Sequence, residues 1–315
     1  MIGIDVGGAN LKVVDEKGVT LHYCPLWQEA PLKELLFAHR DASRGGAAVV
    51  MSGELADCFS QKMEGISFIV DQVREVFPDA LFYGNDGTFH DRAHPSLAAA
   101  NWLASADHLR TPYPGGLLVD MGSTTTDIVP LTDFDRLKGL TDLDRLQKGY
   151  LIYTGLLRTP VAALVRKVPV KNIPTPVSTE FFAQSADAHL MLGHIAPAEY
   201  TCATPDRKET DVMSASRRLA RVVCADLEEI GMDGAYEVAQ AFWEEQKNQI
   251  RQGILAAGGV LEEHGETGPV LYAGTGSRLL LGQWGGVDLA RVLGDYADAL
   301  PAYAVREVAL RDHIF

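Results

Sequence analysis

Apolar positions along this 315-residue chain cluster in short runs, and the N-terminal ones have the period of strands. Met1 to Asp5 is nearly continuous, Leu11 to Val14 follows, and Val19 to Cys24 makes a third run. Gly7-Gly8 and Asp15-Glu16-Lys17-Gly18 punctuate them, which predicts strand, turn, strand, turn, strand. Leu32 to His39 has helical spacing. Ala47 to Met51 reads as a buried strand, Cys58 to Phe77 as a helix stopped by Pro78, and Leu81 to Tyr83 as a strand ending in Gly84-Asn85-Asp86-Gly87. The alanine-rich stretch Pro95 to Ala106 predicts another helix.

Thr111-Pro112-Tyr113-Pro114-Gly115-Gly116 interrupts every periodicity and divides the chain into units 1–112 and 113–315. The second unit begins as the first did, with apolar runs Leu117 to Asp120 and Ile128 to Leu131. Asp133 to Lys148 is charged and is expected at the surface. Gly149 to Gly155 predicts a strand and Thr159 to Val168 a helix; residues 169–180, with Pro169, Pro174 and Pro176, predict a loop or flap. Helical spacing over Glu180–Leu192, Asp206–Ile230 and Asp233–Glu263 predicts a helical insertion around 170–265. Pro269 to Ala273 is a last strand, followed by the turn Gly274-Thr275-Gly276-Ser277 and a helix. Strands alternating with helices indicate an α/β protein.

Composition narrows the partners. A net charge of −14 argues against nucleic-acid or anionic-membrane binding, although local amides and cations can still hold an anion. Cys24, Cys58, Cys202 and Cys224 lie far apart without a C-x-x-C pair, and His194, Cys202 and Asp206 fit no zinc spacing. No apolar stretch approaches the roughly 20 residues of a bilayer span. The N-terminus enters a strand without a basic leader, so with the scattered cysteines a cytoplasmic location is expected, and a monomer or homodimer is expected as well.

Two segments carry candidate chemistry. Asp5-Val6-Gly7-Gly8-Ala9-Asn10 and Asp120-Met121-Gly122-Ser123-Thr124-Thr125 each end an apolar run in Asp, one residue and Gly. Glycine permits a tight turn whose amides face an anion, and the carboxylate can hold a hydrated magnesium ion. Asp5 and Asp120 are therefore candidate metal ligands, with Gly7, Gly8, Asn10, Gly122, Ser123, Thr124 and Thr125 as candidate phosphate binders. Lys12 and Asp127 just past the turns are further catalytic candidates, and Asp120, Asp127 and Lys12 all stay open as the group that handles a proton. Asn85 and Asp86 sit where open α/β sheets place ligands. Arg158 with Thr159, the run Glu209-Thr210-Asp211, and the glycines Gly274 and Gly276 complete the candidate set. Glu54 and Asp57 read as caps of the helix that follows, and Trp102 and Trp243 as core.

The order of these three glycine turns resembles the sugar kinase, actin and heat-shock ATPase superfamily. That resemblance implies two actin-like (ribonuclease H-like) domains with a ligand cleft between them. Closer detail is similar to hydantoinase/oxoprolinase-related proteins of tetrahydromethanopterin-linked one-carbon metabolism. It lies in Ile4 to Lys12, Met51 to Cys58, Asp120 to Ile128, Arg158-Thr159-Pro160, Glu209-Thr210-Asp211 and Arg218 to Asp226. The resemblance implies a magnesium-dependent transferase of methanofuran-type cofactor biosynthesis. Its small-molecule partners would be a furylmethyl diphosphate and a phenolic acceptor, joined as an ether with loss of diphosphate. Gly274-Thr275-Gly276-Ser277 departs from the superfamily's common adenosine turn, and Ala9-Asn10 stands where kinases often have Thr; both favour a diphosphate without a nucleoside. The alternatives are an ATP-dependent small-molecule kinase or oxoprolinase/hydantoinase-like ATPase, and a non-catalytic actin-like nucleotide sensor.

Overall fold

A computed structural model describes residues 1–43 and 46–314. The first part of the chain forms β1 (Ile2–Val6), β2 (Asn10–Asp15), β3 (Gly18–Tyr23), α1 (Leu32–Phe37), β4 (Ala47–Met51), α2 (Lys62–Val76), β5 (Leu81–Tyr83), β6 (Phe89–His90) and α3 (Asn101–Leu109). The second contributes β7 (Leu117–Met121), β8 (Thr126–Pro130), α4 (Phe134–Leu137), α5 (Asp142–Lys148), β9 (Leu151–Ile152) and α6 (Val161–Leu164). A hairpin, β10 (Lys167–Val170) and β11 (Ile173–Pro176), leads into α7 (Ser185–Met191), α8 (Val212–Arg221) and α9 (Leu227–Glu263). The chain ends with β12 (Val270–Ala273), α10 (Ser277–Trp284), β13 (Val287–Asp288), α11 (Leu289–Leu293) and α12 (Leu300–Arg311).

The sheets repeat one plan. In the first, ordered β3-β2-β1-β4-β5-β6, an antiparallel meander passes at β1 into the parallel strands β4 and β5. In the second, ordered β13-β12-β7-β8-β9, the meander β7-β8-β9 passes at β7 into parallel β12 and β13. Strand alternation sorts the side chains of β4. Ala47, Val49 and Met51 join the core under α2, and Ala48 and Val50 join the larger core that includes α3, α12 and the second sheet. Helix α12 returns to the first sheet, packing on β1 and β4 and along α3. A Cβ at Gly3 would lie 1.9 Å from the Ala302 carbonyl oxygen, so glycine is what lets strand and helix approach.

Several sequence expectations change, among them the helices expected over Thr159–Val168 and Pro95–Ala106: only Val161–Leu164 of the first is α-helical, with Val168 in β10, and α3 starts at Asn101. The prolines of 169–180 do not prevent a strand pair, because a two-stranded hairpin has only edges, where a missing N–H costs no ladder bond. Its turn puts Lys171 and Asn172 at φ 51° and 63°. Asp206–Ile230 is no single helix: α8 stops at Arg221, Cys224 takes φ 58°, and α9 begins at Leu227 and is broken at Gly231. The segment Asp133–Lys148 is not all surface, since Arg145 is buried against the Trp102 ring at 4.5 Å. Both Trp102 and Trp243 are core residues.

Candidate functional site

The β1–β2 and β7–β8 turns are closed by the same bond: the Gly7 amide donates to the Asn10 carbonyl at 2.9 Å, and the Gly122 amide to the Thr125 carbonyl at 2.9 Å. The carbonyls at each tip are tied back by chain leaving the third strand of each meander. Gly8 and Ala9 accept from Leu26 and Cys24; Gly122 and Ser123 accept from Leu156, Leu157 and Arg158. Among the described residues the amides of Gly8, Ala9, Ser123 and Thr124 have no protein acceptor. Both turns line one cleft of ≈ 450 Å³, so residues with unpaired N–H groups come from two sheets to one space, an arrangement suited to an anion.

Register sets the charges beneath. Lys12 stands opposite Asp5 in the first hairpin, and Asp127 opposite Asp120 in the second. Burial pushes the Asp5 carboxyl up to about 6 against the pull of Lys12, and Asp5 Oδ1 is sealed without a partner. Burial raises Asp120 to about 7, again with Lys12 opposing and with Asp127 and Asp5 reinforcing the rise. Asp127 is raised by burial as well, countered by its ion pair with Arg145, whose Nη1 also reaches Asp142 at 2.8 Å. Lys12 Nζ donates to the Asp298 carbonyl at 2.9 Å. The turns touch through Asn10 Nδ2 and Ser123 Oγ at 3.4 Å, and the Arg158 guanidinium lies over the Trp27 ring at 4.5 Å with Nη1 3.4 Å from Thr124 Oγ1.

The cleft therefore gathers Asp5, Gly7, Gly8, Asn10, Lys12, Asp120, Gly122, Ser123, Thr124, Thr125, Asp127 and Arg158. The remaining candidates lie outside its lining. Asp86 accepts from Thr88 and His90 in a network completed by Ser96 and His94. The His90 and His94 rings stack at 8°, which leaves their lone pairs in parallel planes, and Asn85 holds that loop through its backbone. Thr159 is buried among Thr154, Gly155 and Ser185, while Glu209 offers its carbonyl to Arg218. Asp211 caps α8 through the Ser214 amide, and Thr210 precedes it. Gly274 and Gly276 press on the back of the second turn: a Cβ at Gly274 would stand 2.3 Å from Asp120 Oδ1, and one at Gly276 2.6 Å from the Met121 side chain.

Glu54 and Asp57 cap nothing; α2 starts at Lys62 with Gln61 in the cap position. Glu54 is buried with Oε2 unpartnered, and burial raises its carboxyl to about 6. Trp27, Ser52, Leu55, Asp57, Asn101 and Tyr153 also line the cleft, and sequence reasoning missed all six. Ala99 beside them takes φ 46°, a conformation alanine rarely adopts. No local pattern announced these residues, because Trp27, the 52–57 loop and Asn101 converge only through tertiary packing.

Fold and site define a two-lobed actin-like α/β protein whose lobes present matching amide turns to one cleft. Acetone carboxylase in its nucleotide-free structure shares this fold at TM-score 0.52 and 10% identity, over 96% of this chain and 69% of that one. The chain belongs to the hydantoinase/oxoprolinase family, whose model matches residues 45–300. It is 34% identical, over 98% of its length and 97% of the relative's, to the (4-{4-[2-(gamma-L-glutamylamino)ethyl]phenoxymethyl}furan-2-yl)methanamine synthase of Methanocaldococcus jannaschii. The synthase of the same name from Methanococcus vannielii is 42% identical over 127 residues, covering 40% of this chain and 57% of that protein. Among the described residues no helix is long and apolar enough to cross a membrane.

Proposed function

We propose that this chain is an ether-forming transferase in the biosynthesis of a methanofuran-type one-carbon carrier. It transfers an aminomethylfuranylmethyl group from its diphosphate to the phenol oxygen of a tyramine- or tyrosine-derived acceptor. One observation carries the reading: a cleft with unpaired amides from both lobes, in a chain similar over 98% of its length to a relative named for a phenoxymethylfuran product. The bond between the furylmethyl carbon and the diphosphate oxygen breaks, a bond from that carbon to the phenol oxygen forms, and the phenol proton passes to water. The ring oxygen spreads positive charge developing on the carbon, so the charge on the departing diphosphate is what the protein must stabilise.

The amides of Gly8, Ala9, Ser123 and Thr124 bind the diphosphate oxygens, with Arg158 and Lys12 as the cations beside them. Arg158 is oriented for this by its stack on Trp27, and Lys12 by its bond to the Asp298 carbonyl. Asp5 and Asp120 fit a hard divalent ion: both are oxygen donors whose ionisation burial opposes, and Asp5 Oδ1 has no other partner. We assign them to magnesium, which when bound neutralises diphosphate charge. Asp127 is committed to Arg145 and positions the wall beside them.

Incubation with the aminomethylfuran diphosphate, magnesium and a panel of phenols is expected to give the ether mass and an equal amount of diphosphate. Binding of ATP–magnesium with no preference for diphosphate, together with phosphate release from ATP and no ether, overturns the reading in favour of a kinase or ATPase.

A further inference from the structure

Asp57 stands apart from the other carboxylates of the cleft. Asp127 and Asp142 share Arg145, and Asp5 and Asp120 sit deep between the turns. Asp57 is exposed, and among the described residues it makes neither a hydrogen bond nor an ion pair, yet it lines the same cavity. Its position is built rather than incidental. The neighbouring Cys58 Sγ donates to the Leu26 carbonyl at 3.5 Å, and the Leu26 amide donates to the Gly8 carbonyl at 3.0 Å. A Cβ at Gly53 would press on Gly7 at 3.0 Å and on Leu26 at 2.7 Å, so the 52–57 loop lies directly on the first turn. Amide turn, Trp27 and Asp57 thus belong to one connected wall, and the exposed Leu55 side chain lines the same cavity.

We propose that Asp57 is an ammonium subsite that takes the primary amine of the furan substrate. This rests on the reading under Proposed function. The relatives' product carries its methanamine on the furan ring, so the donor presents a diphosphate on one arm and an ammonium on the other, with an apolar ring between. The wall presents the complementary groups: amides and Arg158 for the anion, Trp27 and Leu55 for the ring, a free carboxylate for the cation. A carboxylate with no internal partner loses no existing bond when it pairs, and the ring covering it from water strengthens the attraction.

The test compares the aminomethylfuran diphosphate with an analogue lacking only the aminomethyl group. Calorimetry on wild type and Asp57→Asn reads the contact without turnover. Wild type is expected to bind the amine form about two- to fivefold more tightly, and Asp57→Asn to bind both alike. In turnover, the variant should raise KM for the amine donor with kcat little changed, and Asp57→Glu should recover part of the loss. An unchanged amine preference in Asp57→Asn overturns the proposal. So does a penalty that persists with the deamino donor, including one that disappears only when the phenolic acceptor lacks its own amine. If wild type binds these donors but forms no ether, the proposed function falls, while the binding ratio still decides the role of Asp57.

Discussion

The two hairpins at the cleft share a turn and differ in what stands across from the aspartate. In the first, Asp5 faces Lys12, whose ammonium donates to a neutral carbonyl and lines the cleft. In the second, Asp120 faces Asp127, and that second carboxylate is neutralised by Arg145 from α5, stacked on Trp102 from α3. A duplicated backbone has thus been given unequal charge. The first lobe supplies a cation that can meet a ligand, and the second supplies a carboxylate that has to be locked. Geometry is repeated where the anion needs amides, and the side chains diverge where the two lobes do different work.

Breaking the lock should have the largest effect. Arg145→Met leaves the half-buried Asp127 beside Asp120 and Asp5 without the counter-charge of the buried Arg145. Removing one partner of such a pair is expected to destabilise the protein by about 3–5 kcal/mol, measured by urea unfolding at neutral pH. Asp127→Asn added to it should recover much of that loss, because the stranded charge is then gone. A loss below about 1 kcal/mol in Arg145→Met would mean that solvent, not Arg145, balances Asp127.

Asp5→Asn tests the other hairpin and divides activity from stability. Turnover should fall by about 10²–10³-fold, as for loss of a group that stabilises a leaving charge. Stability should move the opposite way. The Asp5 carboxyl rises from 3.8 in the unfolded chain to about 6 in the fold, so the folded state binds more protons between those values. The contribution of these two carboxyls to metal-free stability therefore declines as pH rises from about 4 through about 6 for Asp5 and on toward about 7 for Asp120, while the buried His189, held down to about 3, contributes in the opposite direction. Asp5→Asn should flatten the first part of that decline and be the more stable protein at pH 7 without metal. Added magnesium should raise the melting temperature of wild type more than that of the variant.

Part of this contrast could be read along the chain. The hairpins were legible because an apolar run, Asp, a spacer and Gly is local information, and the strands β1, β4 and β7 are short runs with clear ends. The turn glycines and both deep aspartates followed from the same pattern. Arg145 was hidden because a charged stretch such as Asp133–Lys148 reads as solvated unless its partners are known, and Asp127 and Trp102 come from other elements. Asp57 was hidden for the converse reason. An acidic residue ahead of a helix reads as a cap, and only the packing of Gly53 on Gly7 turns it toward the cleft. Gly274 and Gly276 were legible as a special turn, but their use as backing for Asp120 and Met121 depends on β12 lying beside β7.

The smallest expected effect concerns how the two turns meet. Asn10 is the fourth residue of the first turn and Thr125 of the second, and only Asn10 reaches across, to Ser123 Oγ at 3.4 Å. A neutral bond of that length at a partly exposed position contributes at the low end for hydrogen bonds, about 0.5 kcal/mol. Asn10→Ala should therefore slow turnover by about two- to threefold and leave unfolding nearly unchanged. Ser123→Ala should do the same, and the double variant should be no slower than either single one if the bond between the turns is what both remove. Additive losses would show that each side chain contacts the ligand separately, so that the turns act as independent amide sites and not as one coupled pair.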